Sequence, residues 1–407
     1  MAIIAPLGLK GIKTVRDFEL EGKVVFLRLD LNVPMANGKI TDENRITASL
    51  PTIQYCMEKG AKIVMASHLG RPKSKEDKEF SLEPVAKRLQ ELLNAEVILV
   101  EEPDSDAPVH LLPSLKKNQL ILLENVRFEE GETKDSIEFA QKIANYAEIY
   151  INDAFGASHR AHATIHALPS VMKEKGIGFL IEKEINMLDS LLVNPKRPYI
   201  AVMGGAKVSD KIAVIERLMD VVDGFVIGGA MAYTFLKGQG LAVGKSLVEA
   251  DKVKFAKEMI ERIEARDKTI LLPVDHVAAK AFNDVASAHV TRDVVIPEDE
   301  MGLDIGPQTI RNYSAALKSA GTIFWNGPMG VFENPAFAKG TFGVAQAIAD
   351  NAEATKIVGG GDSAAAAEAS GLAGKMTHIS TGGGASLEYL QGDKLPGLEI
   401  LRTRIRG

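Results

Sequence analysis

Cysteine is almost absent from the sequence. The 407 residues include a single one, Cys56, so no intramolecular disulfide and no cysteine-based metal cluster can form. So little cysteine suits a reducing compartment, where disulfides are rare. Cys56 lies in a helical pattern, three positions after Ile53, which predicts a core side chain rather than a catalytic thiol.

An excess of basic residues is also missing. Lys and Arg total 48 against 54 for Asp and Glu, which gives a formal net charge of −6. Nucleic acids and membrane surfaces select proteins with a basic surface, so neither is an expected partner. A small anionic ligand needs only a local group of arginines and lysines, and the composition leaves room for one.

Long apolar runs are missing as well. The longest nearly uninterrupted one, GFVIGGAMAYTFL from Gly224 to Leu236, is shorter than the ~20 residues that a membrane-spanning helix needs. The first residues, MAIIAPLGLKG, form too short an apolar stretch for a secretory signal and carry no basic segment before it. Together with the cysteine content, these features predict a cytoplasmic protein.

What the sequence does contain is the alternation typical of α/β proteins. Hydrophobic residues make up 46% and charged residues 25%, as in compact globular chains, and the length is sufficient for two domains. Amphipathic segments such as SLEPVAKRLQELLNA and SDKIAVIERLMDVVDG predict helices that begin near Ser81 and Ser209. Short apolar runs between them predict strands. These runs are KVVFLRLD, AKIVMAS, EVILV, LILLEN and IYIND in the first half, and YIAVMG, GFVIGG, TILLPVD, TIFWNG, TKIVGGG and THIST in the second.

Strands that are apolar on both faces and alternate with helices form parallel sheets, so we predict two doubly wound, Rossmann-like α/β domains. A long helical pattern from Phe179 to Val193 separates the two series of strands and is stopped by Asn194-Pro195. A bridging helix without a flexible linker favours a hinge. We therefore divide the chain into an N-terminal domain (1–178), a hinge helix (179–195), a C-terminal domain (196–390) and a tail (391–407).

Polar residues follow the predicted strands of the first half at the points where the strands end. Ligands of open parallel sheets bind beyond these carboxyl ends. Because arginine matches the oxygen pairs of phosphate and carboxylate groups, the sequence predicts a cradle for a small polyanion. The alternative is that the arginines lie on solvated loops and pair with nearby glutamates. The residues concerned are Arg28, Asp30, Asn32, His68, Arg71, Arg127 and Arg160, with Arg45 just before the first helix.

Three histidines near the last of these exits, His159, His162 and His166, allow a metal site as another interpretation. No carboxylate or cysteine stands at matching spacing. The neighbouring Ala163 and Ile165 favour ordinary packing instead.

In the second half the predicted strands end in glycine-rich turns. Backbone N–H groups on such turns, with a helix N-terminus behind them, form a site for anions such as phosphates. The strongest example is TKIVGGGDSAAAAEASG, which contains Gly360, Gly361, Asp362 and Ser363, and THISTGGGASLEYL repeats the arrangement. Tight strand–helix packing explains any single turn equally well, whereas several turns beside two lysines favour a nucleotide. The other residues at these exits are Gly204, Gly205, Lys207, Lys211, Gly228, Gly229, Asn326, Gly327, Pro328 and Glu333.

The sequence does not match two standard nucleotide-binding motifs, the P-loop and the dinucleotide fingerprint. The stretch GQGLAVGKS is similar to a P-loop, but Gln239 occupies the position of the first glycine and a helical pattern precedes it. It also lacks the preceding strand that the dinucleotide fingerprint requires. A Walker-type ATPase and a nicotinamide-dependent dehydrogenase are therefore disfavoured. A non-catalytic nucleotide sensor is a further alternative, but a sensor would not need the arginines of the first half.

Nine motifs occur in the order found in the phosphoglycerate kinase family, which the chain resembles from about Val15 to its C-terminus. They are RLDLNVP, SHLGRP, LLENVRF, NDAFGASHRAH, GGAKVSDK, MGLDIGP, WNGPMGVFE, GGGDS and STGGGASLE. The departures are small: Leu31 stands where the family more often has an aromatic residue, and the first residues look like an extension.

This resemblance implies two domains that face each other across a cleft, usually in a monomer, with a C-terminal tail that packs back on the N-terminal domain. It implies reversible phosphoryl transfer between 1,3-bisphosphoglycerate with ADP and 3-phosphoglycerate with ATP, with Mg²⁺. The residues implied to bind the phosphoglycerate are Asp30, Asn32, Arg45, His68, Arg71, Arg127 and Arg160. Those implied to bind the nucleotide are Lys211, Gly228, Gly229, Gly302, Glu333, Gly360, Gly361, Asp362 and Ser363, with Asp362 also holding the metal.

The implied reaction needs no general base. A β-phosphate oxygen of ADP attacks the acyl phosphate and a carboxylate leaves, so neither group changes its protonation near neutral pH. A missing Ser-His-Asp set is therefore expected. The reaction does need in-line positioning and neutralisation of negative charge, for which we predict Arg45, Lys207 and Lys211 together with Mg²⁺. Because the two anion sites lie on different predicted domains, we expect hinge closure about the Phe179–Val193 helix.

Overall fold

The computed structural model describes residues 7–403, which form two compact units. The N-terminal unit comprises Leu7–Asn186 together with residues 393–403, and the C-terminal unit comprises Met187–Gly392. Each unit contains helices around a six-stranded parallel sheet, which confirms the predicted fold class. The division between the units falls inside the predicted hinge helix rather than at either of its ends.

The sheet of the N-terminal unit has the order β5-β6-β4-β1-β7-β8, and all neighbouring strands are parallel. Its strands are β1 (Val24–Leu29), β4 (Lys62–Ala66), β5 (Glu96–Val100), β6 (Gln119–Leu123), β7 (Ile149–Asp153) and β8 (Glu174–Ile177), and a separate hairpin contains β2 (Met35–Ala36) and β3 (Lys39–Ile40). The sequence predicts all six except β8. That strand is the last in the sheet order, next to β7, and its sequence EKGI lacks the apolar run of the central strands.

The helices of the N-terminal unit follow the predicted alternation. They are α1 (Asn44–Glu58), α2 (Glu83–Leu93), α3 (Ala107–Leu111), α4 (Glu130–Thr133), α5 (Ile137–Ala144) and α6 (Leu168–Val171), followed by α7 (Phe179–Leu192). Helix α2 starts close to Ser81, as predicted, and the Ser81 hydroxyl accepts a hydrogen bond from the Glu83 amide at 3.1 Å. Cys56 on α1 is completely buried in the core, which confirms its structural role, and burial raises the pKa of its thiol to about 12.

The main sheet of the C-terminal unit has the order β11-β10-β9-β15-β16-β17. Its strands are β9 (Tyr199–Met203), β10 (Gly224–Ile227), β11 (Thr269–Leu271), β15 (Thr322–Asn326), β16 (Thr355–Val358) and β17 (His378–Ile379). Strands β10 and β11 extend the sheet on one side of β9. Strands β15, β16 and β17, which come later in the chain, extend it on the other side. This is the doubly wound topology, and it places ligand sites where the direction reverses.

The C-terminal unit also contains a small antiparallel sheet that was not predicted from the sequence. Its order is β13-β12-β14, with β12 at His276–Ala279, β13 at His289–Val290 and β14 at Met301–Ile305. The run TILLPVD, predicted as one strand, ends as a strand at Leu271. Pro273 cannot donate to a sheet, and the Asp275 carboxylate instead accepts a hydrogen bond from the Thr309 amide at 2.8 Å.

The remaining helices alternate with these strands. They are α8 (Ile212–Leu218), α9 (Met231–Gly238), α10 (Val253–Glu264), α11 (Pro307–Lys318), α12 (Lys339–Asp350), α13 (Gly361–Ala369) and α14 (Gly384–Gln391). A short 3₁₀ turn, Ser209–Lys211, leads into α8. It occupies the helix start that was predicted at Ser209.

The last described segment belongs to the N-terminal unit. It contains α15 (Pro396–Glu399), where the Gly397 amide donates to the Ser158 carbonyl at 2.9 Å and Asn152 Nδ2 donates to the Gly397 carbonyl at 3.2 Å. Residues 404–407 of the predicted tail lie outside the described residues. Between residues 7 and 403, no helix has both the length and the apolar character needed to span a bilayer.

Candidate active site

Four neighbouring strands of the N-terminal sheet, β6, β4, β1 and β7, end at the same edge. Because parallel strands share their carboxyl ends, the segments that follow them meet there. We name the predicted anion-binding residues on these segments the arginine cluster. It consists of Asp30 and Asn32 after β1, Arg45 in the first turn of α1, His68 and Arg71 after β4, Arg127 after β6, and Arg160 after β7.

Within the arginine cluster, Asp30 and Arg45 form an ion pair. Burial acts to raise the pKa of Asp30, but the charges of Arg45 and of its other basic neighbours outweigh it, so the pKa lies below its ordinary value. Asp30 is therefore ionised at neutral pH. An ionised, buried carboxylate holds the Arg45 guanidinium in one position.

Gly70 links three further members of the arginine cluster. Its amide donates to Asn32 Oδ1 at 2.8 Å, and its carbonyl accepts from Arg127 at 2.6 Å. Gly70 has a φ of +58°, and a Cβ atom there would lie 2.2 Å from the ring of Phe80. Only glycine fits this turn, which fixes the Asn32 and Arg127 side chains and leads directly into the exposed Arg71.

The remaining basic groups crowd together. Burial, followed by the charges of Arg28 and Arg160, lowers the pKa of Arg127 to about 10. Burial, followed by the charge of Arg127, lowers the pKa of His162 to about 4. Arg127 Nε and the Nδ1 atoms of His159 and His162 are buried without a hydrogen-bond partner among residues 7–403. A bound anion would relieve the repulsion between these cations.

Two of the three histidines considered as metal ligands have other side-chain contacts. His159 Nε2 accepts a hydrogen bond from Arg160 Nε at 3.1 Å, and His166 Nδ1 lies 2.7 Å from Asp135 Oδ2. In the described part of the chain, no group of three or more His, Cys, Asp or Glu side chains is arranged to hold a metal ion.

A buried layer beneath the arginine cluster was missed by the sequence analysis. Arg28 is not at a strand exit but inside β1, where it is completely buried. Glu132 and Thr164, distant in sequence, are completely buried beside it. A charged residue within the apolar run VVFLRL is the one signal that could have indicated this layer, because a buried charge requires a partner.

The C-terminal sheet repeats the arrangement with glycine in place of arginine. Its neighbouring strands β10, β9, β15 and β16 end at one edge. We name the turns that follow them the glycine floor. These turns are Gly228–Gly229, Gly204–Gly205, Asn326–Met329 and Gly359–Gly361.

The turns of the glycine floor touch one another through their backbones. A Cβ atom on Gly204 would lie 2.2 Å from the Pro328 carbonyl oxygen, and one on Gly327 would lie 2.2 Å from the Gly204 carbonyl oxygen. The Gly205 amide donates to the Pro328 carbonyl at 2.9 Å. Side chains are therefore excluded from these turns, and close backbone packing alone requires glycine there.

The turn at Gly360 is held by polar side chains. Asn326 Nδ2 donates to the Gly359 carbonyl at 2.5 Å, and the Ser363 hydroxyl accepts from the Gly327 amide at 2.6 Å. Gly360 has a φ of +92°, and helix α13 begins at the next residue. The first N–H groups of a helix have no partner within the helix, so this turn has the geometry that suits an anion.

Two lysines and one carboxylate belong to the same region. Lys211 donates a hydrogen bond to Asn326 Oδ1; burial lowers its pKa, and the charges of Asp210 and Asp362 oppose that effect. Lys207 is exposed on the turn after β9, and its ammonium group makes no hydrogen bond or ion pair with the described residues. The structure therefore brings Lys211, Asn326 and Asp362 together and leaves Lys207 projecting into solvent.

Gly302 and Glu333 were also predicted to bind the nucleotide. Among the described residues, neither forms a hydrogen bond with the turns of the glycine floor. Gly302 lies in β14, where its amide donates to the Ser246 hydroxyl at 2.9 Å. A Cβ atom on Gly302 would lie 2.2 Å from the Tyr233 hydroxyl oxygen. Glu333 is exposed in the loop that follows β15.

The start of α13 suits a hard divalent cation. The exposed Asp362 carboxylate lies near enough to Lys211 to act on the pKa of that lysine. Mg²⁺ in proteins is held by one or two carboxylates together with phosphate oxygens of a ligand. One carboxylate beside an anion-binding turn therefore fits Mg²⁺ that arrives with a phosphorylated ligand.

Comparison with known proteins gives a consistent result. The model of the family described as phosphoglycerate kinase matches residues 15–393. A phosphoglycerate kinase of Bdellovibrio bacteriovorus is 88% identical over 399 residues, which cover 98% of this chain and 99% of that protein. A phosphoglycerate kinase of Clostridium botulinum is 50% identical over 394 residues, covering 96% of this chain and 99% of the relative.

Solved structures agree with the sequence relatives. The phosphoglycerate kinase of Coxiella burnetii superposes with a TM-score of 0.87 at 41% identity, covering 96% of this chain and 98% of the other. The enzyme of Pyrococcus horikoshii OT3 superposes with a TM-score of 0.82 at 35% identity, covering 95% and 98% respectively.

Proposed function

This chain belongs to the phosphoglycerate kinase family, and on that premise we propose which of its residues carry out the family's reaction. It is a glycolytic kinase that transfers a phosphoryl group reversibly between 1,3-bisphosphoglycerate with ADP and 3-phosphoglycerate with ATP. The assignment of residues rests on one observation above all. The chain carries an arginine cluster at one sheet edge and a glycine floor at another.

The arginine cluster is the proposed site of the phosphoglycerate. Guanidinium groups bind phosphate and carboxylate oxygens in pairs, and both groups are present in 3-phosphoglycerate. The mutual repulsion that lowers the pKa of Arg127 beside Arg28 and Arg160 supports an anionic ligand. The proposed substrate-binding residues are Asp30, Asn32, Arg45, His68, Arg71, Arg127 and Arg160.

The glycine floor is the proposed site of ADP and ATP. The N–H groups at the start of α13 would receive phosphate oxygens, and Gly228 and Gly229 would line the adenine pocket. The residues proposed to bind the nucleotide are Lys211, Gly228, Gly229, Gly302, Glu333, Gly360, Gly361, Asp362 and Ser363.

Asp362 would hold Mg²⁺, which when bound neutralises charge on the nucleotide phosphates. This proposal rests on the Asp362 carboxylate, which lies in the first turn of α13. We also expect the enzyme to be a cytoplasmic monomer, in keeping with a glycolytic reaction on diffusible substrates.

The chain contributes to the reaction by position and charge. Neither the attacking phosphate oxygen nor the leaving carboxylate needs a proton transferred at neutral pH, so no residue acts as a base. Arg45, Lys207 and Lys211 supply positive charge around the phosphoryl group, which carries its charge on three peripheral oxygens. In-line transfer requires the two sites to approach, and the proposed closure would appear in small-angle scattering as a smaller radius of gyration with both ligands bound.

Replacing Gly360 with alanine should weaken nucleotide binding. Gly360 has a φ of +92°, which strains any residue with a side chain, and its Cβ atom would lie 2.8 Å from Asn326 Nδ2. We expect the KM for ATP to rise about tenfold, with little change in the KM for 3-phosphoglycerate. Steady-state kinetics with each substrate varied in turn measure both constants.

Gly374 provides the matched control. It has ordinary backbone geometry, and no atom lies within 4 Å of the position of a Cβ atom there. The Gly374→Ala enzyme should keep both KM values. An equal rise in KM for both substrates in Gly360→Ala would contradict a local role at the nucleotide.

A coupled assay tests the function itself. The purified protein should form ATP from ADP and 1,3-bisphosphoglycerate, and removal of Mg²⁺ with a chelator should abolish the activity. Failure to form ATP with Mg²⁺ present would refute the proposal. Activity that persists in the chelator would refute only the part concerning the metal.

A further inference from the structure

The side chain of Arg28 lies under the arginine cluster with 1% of its surface exposed. A buried guanidinium is costly unless its donors and its charge are matched. Its Nε atom donates to the Thr164 hydroxyl at 2.7 Å, and one terminal nitrogen donates to the Leu29 carbonyl. The other terminal nitrogen lies 3.3 Å from His68 Nδ1 and 3.8 Å from Glu132 Oε1.

Glu132 and Thr164 fix the orientation of Arg28. The two Glu132 carboxylate oxygens accept from the Thr164 amide at 2.8 Å and from the Thr164 hydroxyl at 2.7 Å. Since the hydroxyl proton points to Glu132, the oxygen lone pair is left to accept from Arg28. Tyr150 holds the same segment by donating to the Thr164 carbonyl at 2.8 Å. The guanidinium plane therefore has one available orientation.

This orientation determines how His68 is protonated. Arginine has donors but no acceptor, so the contact at 3.3 Å can only be a donation from Arg28 to the lone pair of His68 Nδ1. A neutral imidazole whose Nδ1 accepts must carry its proton on Nε2.

The surroundings of His68 also oppose a second proton. Its ring is buried and lies near Arg28 on β1, Arg45 on α1, Arg127 after β6 and the carboxylate of Asp30. Burial and the three arginines lower the pKa of His68 well below its ordinary value, although Asp30 acts in the opposite direction. The ring is therefore neutral at physiological pH.

We propose that Arg28 is a positioning residue that fixes His68 in the tautomer protonated at Nε2, so that His68 donates a hydrogen bond to an oxygen of the bound phosphoglycerate. The inference rests on the proposed role of His68 in substrate binding. The opposite tautomer would direct a lone pair at an anion and repel it. Arg28 thus acts on the substrate through His68, without touching the substrate itself.

Nitrogen NMR of the ligand-free enzyme tests the tautomer directly. The chain has eight histidines, and the His68 signals are those missing from the His68→Gln spectrum. With ring-labelled histidine, His68 should show an unprotonated Nδ1 and a protonated Nε2 at neutral pH. A proton on Nδ1 would overturn the proposal.

Variants of Arg28 separate positioning from folding. In Arg28→Met, signals of both His68 tautomers should appear, and the KM for 3-phosphoglycerate should rise about tenfold while the KM for ATP stays unchanged. Arg28→Lys retains a donor and should recover part of the loss. An Arg28→Met enzyme that keeps only the Nε2-protonated tautomer would refute the role of Arg28.

Two variants of His68 keep the test available if Arg28→Met does not fold. The amide nitrogen of glutamine reaches the position of Nε2, whereas that of asparagine reaches only the position of Nδ1. His68→Gln should therefore retain about tenfold more kcat/KM for 3-phosphoglycerate than His68→Asn, and equal values would overturn the proposal. Because the NMR measurement needs no turnover, failure of the kinase assignment would be recognised separately by the coupled assay.

Discussion

Arg45→Ala should lower kcat by about 10²–10³-fold at saturating concentrations of both substrates, the range seen when a preorganised transition-state donor is removed. Asp30 holds the guanidinium in place, so Arg45 is positioned before the phosphoryl group arrives. Arginine in such a position neutralises charge that grows as the phosphoryl group moves, and kcat should therefore fall more than either KM rises. The coupled assay for ATP formation measures both quantities.

The stability of the Arg45→Ala enzyme has to be measured alongside its activity. Removing Arg45 leaves the buried Asp30 carboxylate without its main partner, which costs about 3–5 kcal/mol in comparable buried pairs. Arg88 on α2 is the matched control, because its ion pairs with Glu43 and Glu91 are partly exposed, with 33% of its side-chain surface accessible. Arg88→Ala should keep full kcat. If Arg45→Ala were destabilised yet equally active, its role would be structural only.

The strand exits of both sheets could be predicted from the sequence because their signal is local. The apolar runs of β1, β4, β6, β9 and β16 lead into Asp, His, Arg or Gly, and parallel topology then requires the exits within each sheet to meet at one edge. Asp30, His68 and Arg127 are brought together in this way by β1, β4 and β6. The same argument applies to the glycine turns, where the turn after β15 contacts those after β9 and β16.

The layer beneath the arginine cluster could not be predicted, because its partners are far apart in the chain. Arg28 and Thr164 are 136 positions apart, and Thr164 and Glu132 are 32 apart. The sequence shows that Arg28 interrupts an apolar strand but not which carboxylate compensates it. Asn326 illustrates the same limit, since its contact with Lys211 spans 115 positions.

The antiparallel sheet was missed for a different reason. Strands β12 and β13 consist of HVAA and HV, which are too short and too mixed for periodicity to identify. Strand β14 lies in the motif MGLDIGP, where Gly302 packs against Tyr233. Its tertiary neighbours, rather than its own propensity, make it a strand.

Lys207→Ala should lower kcat by roughly 10²-fold, equivalent to about 3 kcal/mol, without lowering the unfolding temperature. The ammonium group is exposed and has no partner among residues 7–403, so its removal breaks no contact that supports the fold. Lys211 is less suitable for this experiment, because its loss also removes the hydrogen bond to Asn326. Thermal unfolding and steady-state kinetics on the same preparation measure the two effects.

Lys245→Ala is the control, since Lys245 is likewise an exposed lysine of the C-terminal unit and has no proposed role. Both variants lose one positive charge, so a general electrostatic effect on substrate association would lower kcat/KM in both and would weaken with salt. An effect on the moving phosphoryl group would lower kcat in Lys207→Ala alone and would persist in salt. A Lys207→Ala enzyme with unchanged kcat would leave Arg45 and Lys211 as the proposed side-chain charges around that group.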